Sequence, residues 1–305
     1  MGGGSWTRDS FTSYATTKAE TLTNATFDSV TMSFCGDISS QEMFTAHKID
    51  PMLDPKGVIR ECCDSEEHPN TRPIIIGLDV TGSMGSAAVE VAKKLNDIMT
   101  ELYGKVKDIE FMIMGIGDLS YDTAPIQASQ FESDIRIAEQ LDKLYFEYGG
   151  GGNSYESYTA AWYFGSRHTK LDCWNRGKKG IIITMGDERL NPYLPVNPKL
   201  GYYKRVLGLN EIMGDNLQAD VETKDLYEEV IEKFDVYHLN VEHGYDYDQE
   251  NIKKSWLEYL DEEHFRTVNL DNISKAIIDI ILHASADFSK ATIGANVNSS
   301  GEITW

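Results

Sequence analysis

The sequence predicts an α/β fold built on a mostly parallel sheet with helices on both faces. Three observations carry the prediction. Residues 73–78 are a continuous apolar run, the pattern of a strand buried on both sides, and 109–116 and 180–185 read as a second strand and a third, buried one. Segments with apolar residues at three- and four-residue spacing separate those strands. Strand and helix signals then alternate to the end of the chain, which is the order a parallel sheet with crossover helices requires.

The elements follow in order. Residues 1–72 are rich in Ser, Thr and Gly, with Asp50-Pro51, Asp54-Pro55 and His68-Pro69 as breakers. They predict an extended arm with one short helix or hairpin. Its aromatics Trp6, Phe11, Tyr14, Phe27, Phe34 and Phe44 argue that it packs, either on the main domain or on a neighbouring subunit. The main domain is expected over 73–288. Strand 73–78 opens it. A helix over 86–103 places Ala88, Val91, Ala92, Leu95, Ile98, Met99 and Leu102 on one stripe. Strand 109–116 and an edge strand within 125–131 flank a turn at Gly117-Asp118. Helix 135–145 precedes Gly149-Gly150-Gly151-Gly152-Asn153, and helix 155–168 follows. Strand 180–185 leads into a long connection over 188–220 with Pro192, Pro195 and Pro198, a length often given to function. Helix 223–233, strand 234–241, helix 252–260, strand 265–268 and helix 272–288 complete the domain. Residues 289–305 read as a polar tail.

Composition narrows the function. The 305 residues carry 28 Lys and Arg against 49 Asp and Glu, a net charge of −21. Such a chain repels phosphate backbones and anionic membranes, so neither nucleic acid nor membrane is expected as a direct partner. Cys35, Cys62, Cys63 and Cys173 include no C-x-x-C pair and fit a reducing compartment. The start has no apolar signal core, fails the myristoylation pattern, and no run approaches a membrane span. A cytoplasmic protein is expected.

In parallel sheets, ligands sit where loops leave the carboxyl ends of strands. That rule selects residues 79–85, 149–156 and 186–191. The first reads Asp79-Val80-Thr81-Gly82-Ser83-Met84-Gly85, a carboxylate and two hydroxyls at alternate positions past a buried strand. The second ends in Asn153 with Glu156 close behind, and the third is Gly186-Asp187-Glu188. Two strand ends and a helix-entry loop therefore direct hard oxygen donors toward one point, a donor set suited to Mg²⁺ or Mn²⁺.

These three segments resemble the metal-ion-dependent adhesion site of von Willebrand factor A domains. Asp79, Thr81 and Ser83 fill the family's D-x-[ST]-x-S motif, in the Asp-x-Thr-Gly-Ser-Met form common among its intracellular members. Gly150-Gly151-Gly152-Asn153-Ser154-Tyr155-Glu156 is similar to its Gly-rich loop, with Asn at the ligand position. Gly186-Asp187-Glu188 is similar to its third motif. The resemblance covers about residues 73–287 and implies a Rossmann-like, doubly wound sheet of six strands. It implies Mg²⁺, with Mn²⁺ or Ca²⁺ as substitutes, held by Asp79, Thr81, Ser83, Asn153 and Asp187. The open coordination position is implied to take an Asp or Glu carboxylate from a protein partner.

Plainer readings compete residue by residue. Thr81 and Ser83 could cap the following helix. Asn153 and Glu156 together match a capping box, the preferred reading for Glu156, with ligation as the alternative. Asp187 could form a turn. Asp118 reads as a turn former rather than an outer partner of the metal. His238, His243 and His264 lack ligand spacing. The acid-rich stretch 211–263 reads as a solvated face. Function divides accordingly. The leading expectation is a non-enzymatic, metal-dependent adaptor or assembly scaffold. One alternative is a structural subunit that self-associates through residues 1–72 or 188–220. Another is a Mg²⁺-dependent phosphohydrolase of haloacid dehalogenase type with Asp79 as nucleophile. In that family's motif the acid/base is a second Asp, and Thr81 stands in its place here.

Overall fold

Thr7 caps the first helix of the chain: its side chain accepts the backbone N–H of Ser10 at 3.2 Å, and helix α1 runs Arg8–Ala19. The computed structural model describes residues 4–148, 154–197, 199–200, 205–242 and 248–297. After α1 comes an antiparallel hairpin, Ala25–Asp28 with Ser33–Gly36, and a capped turn of helix at Ser40–Met43. The arm therefore holds both a helix and a hairpin. It packs in cis: Phe11, Phe34, Met43 and Phe44 are buried in one apolar cluster with the main domain. Further along, Arg60–Cys62 pairs in parallel with Thr169–Leu171.

The main domain follows as β1 (Arg72–Asp79), α2 (Gly85–Tyr103), β2 (Ile109–Ile116), β3 (Ile126–Ala128), α3 (Arg136–Leu141), α4 (Thr159–Arg167), β4 (Gly180–Gly186), α5 (Thr223–Val230), β5 (Phe234–Val241), α6 (Gln249–Leu257), β6 (Phe265–Val268) and α7 (Ile273–Val297). The six strands form one sheet in the order β6-β5-β4-β1-β2-β3, parallel except for β3, which runs antiparallel to β2. Every residue of β1, β2 and β4 is buried, the polar Arg72, Asp79, Glu110 and Thr184 included, as central strands covered on both faces require.

Strand periodicity splits the core into two layers. Ile74, Ile76 and Leu78 face Leu95, Ile98, Ile277 and Ile281 of α2 and α7, with Phe11 of the arm. Ile75, Met112 and Ile182 face Trp162 and Phe164 of α4, Leu226 of α5 and Trp256 of α6. Helices thus cover both faces.

The structure corrects several expectations. Residues 155–156 are extended and pair with Arg189–Leu190, so the helix expected from 155 begins only at Thr159. The α3 helix stops at Leu141 rather than near 145. The 188–220 connection is built of short pieces: Tyr193–Leu194 pairs with Val221–Glu222, and Leu209–Met213 is a helical turn. Its Leu190, Leu194, Val196, Leu209 and Met213 are buried in the α4 layer, and that burial holds a stretch which its prolines keep out of long helix. The last helix continues to Val297, through residues expected in the tail. No helix among the described residues is long and apolar enough to cross a membrane.

Candidate metal centre

The sheet order reverses direction between β1 and β4, where crossovers leave toward opposite faces and a crevice opens at the strands' carboxyl ends. Leu78 lies beside Met185 in the register, so the chain ends of β1 and β4 emerge together. One carries Asp79, the other Asp187.

Asp79 is 1% exposed and fully engaged. Its Oδ1 accepts the backbone N–H of Thr81 at 2.9 Å and the Thr81 hydroxyl at 2.6 Å. Its Oδ2 accepts the hydroxyl of Tyr158 at 2.8 Å. The Ser83 hydroxyl lies 3.5 Å from that of Thr81 and is exposed at the rim. Neither hydroxyl caps α2, whose N-cap residue Met84 makes no side-chain cap bond. Asp187 is half-buried. Burial first, then the charge of Asp187, pushes the Asp79 carboxyl up to about 7, against the pull of its Thr81 and Tyr158 donors. Two carboxylates thus crowd a poorly solvated crevice, the electrostatic condition a divalent cation relieves.

The described residues bring Asp79, Thr81 and Ser83 together, with Asp187 within electrostatic reach. Asn153 and the glycines 149–152 lie outside the described residues. Glu156 is no helix cap, because it sits in the short strand beside Leu190. It is buried, its Oε2 has no hydrogen-bond partner among the described residues, and its carboxyl is raised by burial, then by Asp79, Asp118, Asp122 and Glu188. Asp118 does form a turn: its Oδ1 accepts the Ser120 N–H at 2.7 Å and its carbonyl accepts those of Tyr121 and Asp122. Among the described residues no group of three or more His, Cys, Asp and Glu is arranged to chelate an ion. The candidate set instead mixes carboxylates with hydroxyls, all hard oxygen donors, and that chemistry fits Mg²⁺.

Sequence reasoning missed Tyr158. Fully buried, its hydroxyl donates to Asp79 and accepts the backbone N–H of Glu188 at 3.3 Å, tying the β1 end to the β4 end. Gly186 makes room for it: a Cβ at 186 would lie 1.9 Å from the Tyr158 hydroxyl. The signal available was the pairing of Gly186 with an aromatic in the preceding helical segment, which only the fold brings together.

Beneath the site, His238 stacks on Trp256 at 3.6 Å and its Nδ1 lies 2.9 Å from the Thr184 hydroxyl. Complete burial pushes its pKa down, so the folded protein keeps it neutral. Above about pH 6.5 the ring is neutral in both states and contributes no pH dependence. Below that, the unfolded chain takes up a proton that the fold refuses, and stability falls. Relative to His238→Gln, the wild type is expected to lose up to about 1.4 kcal/mol per pH unit between pH 6.5 and 5. Denaturant melts at several pH values check this; parallel slopes would contradict it.

No protein-family model and no curated protein matches the chain. Solved structures do. The pilus adhesin SpaC from Lactobacillus rhamnosus GG, in its open conformation, is 13% identical with a TM-score of 0.44, over 73% of this chain and 31% of its own. Proximal thread matrix protein 1 from the mussel byssus is 11% identical at 0.44, over 73% and 49%. The vWF domain of the type V pili tip protein Mfa5 from Porphyromonas gingivalis is 13% identical at 0.42, over 77% and 98%. The chain spans about a third of the length of the adhesin it matches.

Proposed function

We propose that this chain is a divalent-metal-dependent protein-binding module of von Willebrand factor A type, acting in the cytoplasm as an adaptor or assembly scaffold. The observation that carries the reading is the crowding of Asp79 and Asp187 at the sheet's reversal point, beside two hydroxyls that no helix cap consumes. Asp79, Thr81, Ser83 and Asp187 are the residues assigned to hold Mg²⁺, with Asn153 as a further donor. Bound there, the cation supplies an electropositive acceptor for a partner's Asp or Glu carboxylate.

The chain's own residues prepare that acceptor. Thr81 and Tyr158 fix the Asp79 carboxylate in place, so little ordering remains when an ion arrives. The exposed Ser83 lies where a partner approaches. Both Asp79 oxygens accept hydrogen bonds, which blunts it as a nucleophile, and this supports binding over phosphoryl transfer.

Affinity capture from the source cell, with Mg²⁺ or with EDTA, tests the reading. Wild-type protein is expected to retain partners only with Mg²⁺, and Asp79→Ala to lose them in both conditions. Equal capture in all arms would refute it.

A further inference from the structure

A groove of about 430 Å³ includes Tyr148 in its lining, and Tyr148 also packs beside the metal loop at Gly82 and Gly85. Gln41, Phe44, Ala46 and His47 of the arm line one side, Phe146 and Tyr148 the other. Phe44 and Phe146 stack with ring centres 4.5 Å apart, and Phe146 stacks on Tyr148 at 5.8 Å. Tyr148 adopts a φ of 51°, a left-handed conformation rare for a bulky side chain. Its carbonyl oxygen lies 3.3 Å from where a Cβ on Gly82 would stand, and Ser40 Oγ lies 2.6 Å from the corresponding position on Gly85. The arm and the Tyr148 segment thus close directly onto residues 82–85. A side chain at either glycine would crowd that approach, more severely at Gly85 than at Gly82.

Among the described residues the groove's lining contains no Asp or Glu, in a chain that carries 49 of them. A segment anchored by its own carboxylate meets like charge over much of this protein, and along this side it meets aromatic rings, Gln41 and His47 instead. The volume suits one large side chain with its backbone.

Resting on the metal-site reading above, we propose that this groove selects the partner. The partner is a protein segment whose anchoring Asp or Glu lies within about three residues of an aromatic or large aliphatic side chain, the span of extended chain needed to pass one tyrosine ring. The cation takes the carboxylate, and the partly exposed Tyr148 and Ala46, over a floor of buried Phe44 and Phe146, take the apolar neighbour. Aromatic pairing adds affinity beyond the buried area and supplies the specificity that a bare carboxylate contact lacks.

A peptide library with a fixed central Asp and randomised flanks, panned on the full chain at saturating Mg²⁺, tests this. Phe, Tyr, Trp or Leu is expected to be enriched at one position within three of the Asp. Affinity should drop about tenfold when that residue becomes Ala, and equally when the groove is filled by Ala46→Trp. Gln41→Trp, at an exposed rim position, repeats the test should Ala46→Trp not fold. Either variant should keep the wild-type thermal shift with Mg²⁺. Selection without an apolar position, or undiminished binding by both groove variants, overturns the inference. A Mg²⁺ shift with no peptide recovered overturns the groove assignment alone. No Mg²⁺ shift in the wild type overturns the metal reading beneath it.

Discussion

Replacing Asp79 by Asn is expected to stabilise the metal-free protein and to abolish its response to Mg²⁺. Asp79 is buried, and its carboxyl is raised to about 7 by desolvation and by Asp187. A raised carboxyl pKa means that the folded state resists ionisation. The stability tied to it is complete below the unfolded value near 4 and is lost as pH rises through about 7. At pH 8 the metal-free wild type therefore bears a charge that the fold disfavours. Asn keeps the shape and an acceptor for Thr81 while removing that charge, and its amide can donate to the Tyr158 oxygen. A gain of about 1–2 kcal/mol at pH 8 is expected, or several degrees in Tm, shrinking toward pH 5. Mg²⁺ should raise the Tm of the wild type, by about 2.7 kcal/mol of added stability at a hundredfold excess over Kd, and leave Asp79→Asn unchanged. Scanning calorimetry with and without Mg²⁺ checks both halves. A variant less stable than the wild type in EDTA at pH 8 would contradict the electrostatic account, and a retained Mg²⁺ shift would remove Asp79 from the ligand set.

The position of Asp79, Thr81 and Ser83 was legible because a local rule governs it: a buried apolar strand must end, and the residues that follow it fall at the sheet's carboxyl edge. The central strands β1 and β4 were legible for a similar reason, since burial on both faces leaves continuous apolar runs such as Ile74-Ile75-Ile76 and Ile181-Ile182-Ile183. Glu156 was misread because its spacing from Asn153 satisfies a local capping pattern, whereas its strand partner, Leu190, lies 34 positions away, beyond any local rule. The 188–220 stretch was underestimated for the same reason: its prolines announce irregular chain, but its burial depends on α4 and α5. The arm's hairpin and its seat on α2 rest on contacts such as Trp6 Nε1–H to Asn96 Oδ1 at 3.2 Å, which no periodicity encodes. Tyr158 illustrates the limit most sharply. Within its own segment it is one more aromatic, and its role exists only because β1, β4 and α4 converge.

That convergence makes Gly186→Ala the most disruptive small change at the site. The added Cβ would stand 1.9 Å from the Tyr158 hydroxyl and 2.3 Å from its Cζ, inside any tolerated contact. Tyr158 is 0% exposed, and its ring lies 5.4 Å from Trp256 and 5.1 Å from His238, so it cannot swing aside without repacking them. The end of β4 must shift instead, which separates Asp187 from Asp79. A loss of about 3 kcal/mol is expected, the upper range for overpacking. Gly165→Ala is the control. Its Cβ would meet only side-chain atoms, Ile182 Cδ1 at 3.0 Å and Ile75 Cδ1 at 3.3 Å among them, and a helix-interior Gly to Ala change regains backbone stability of about 1 kcal/mol. Its net effect should be small and its Mg²⁺ shift intact. Tyr158→Phe separates packing from positioning. It keeps the ring and removes the donor to Asp79, so it should weaken Mg²⁺ binding several-fold while leaving Gly186→Ala as damaging as before, because Cζ remains in the way. Mg²⁺ titrations by calorimetry on the three variants distinguish these outcomes. Unchanged Mg²⁺ affinity in Tyr158→Phe would reduce the tyrosine to a core residue.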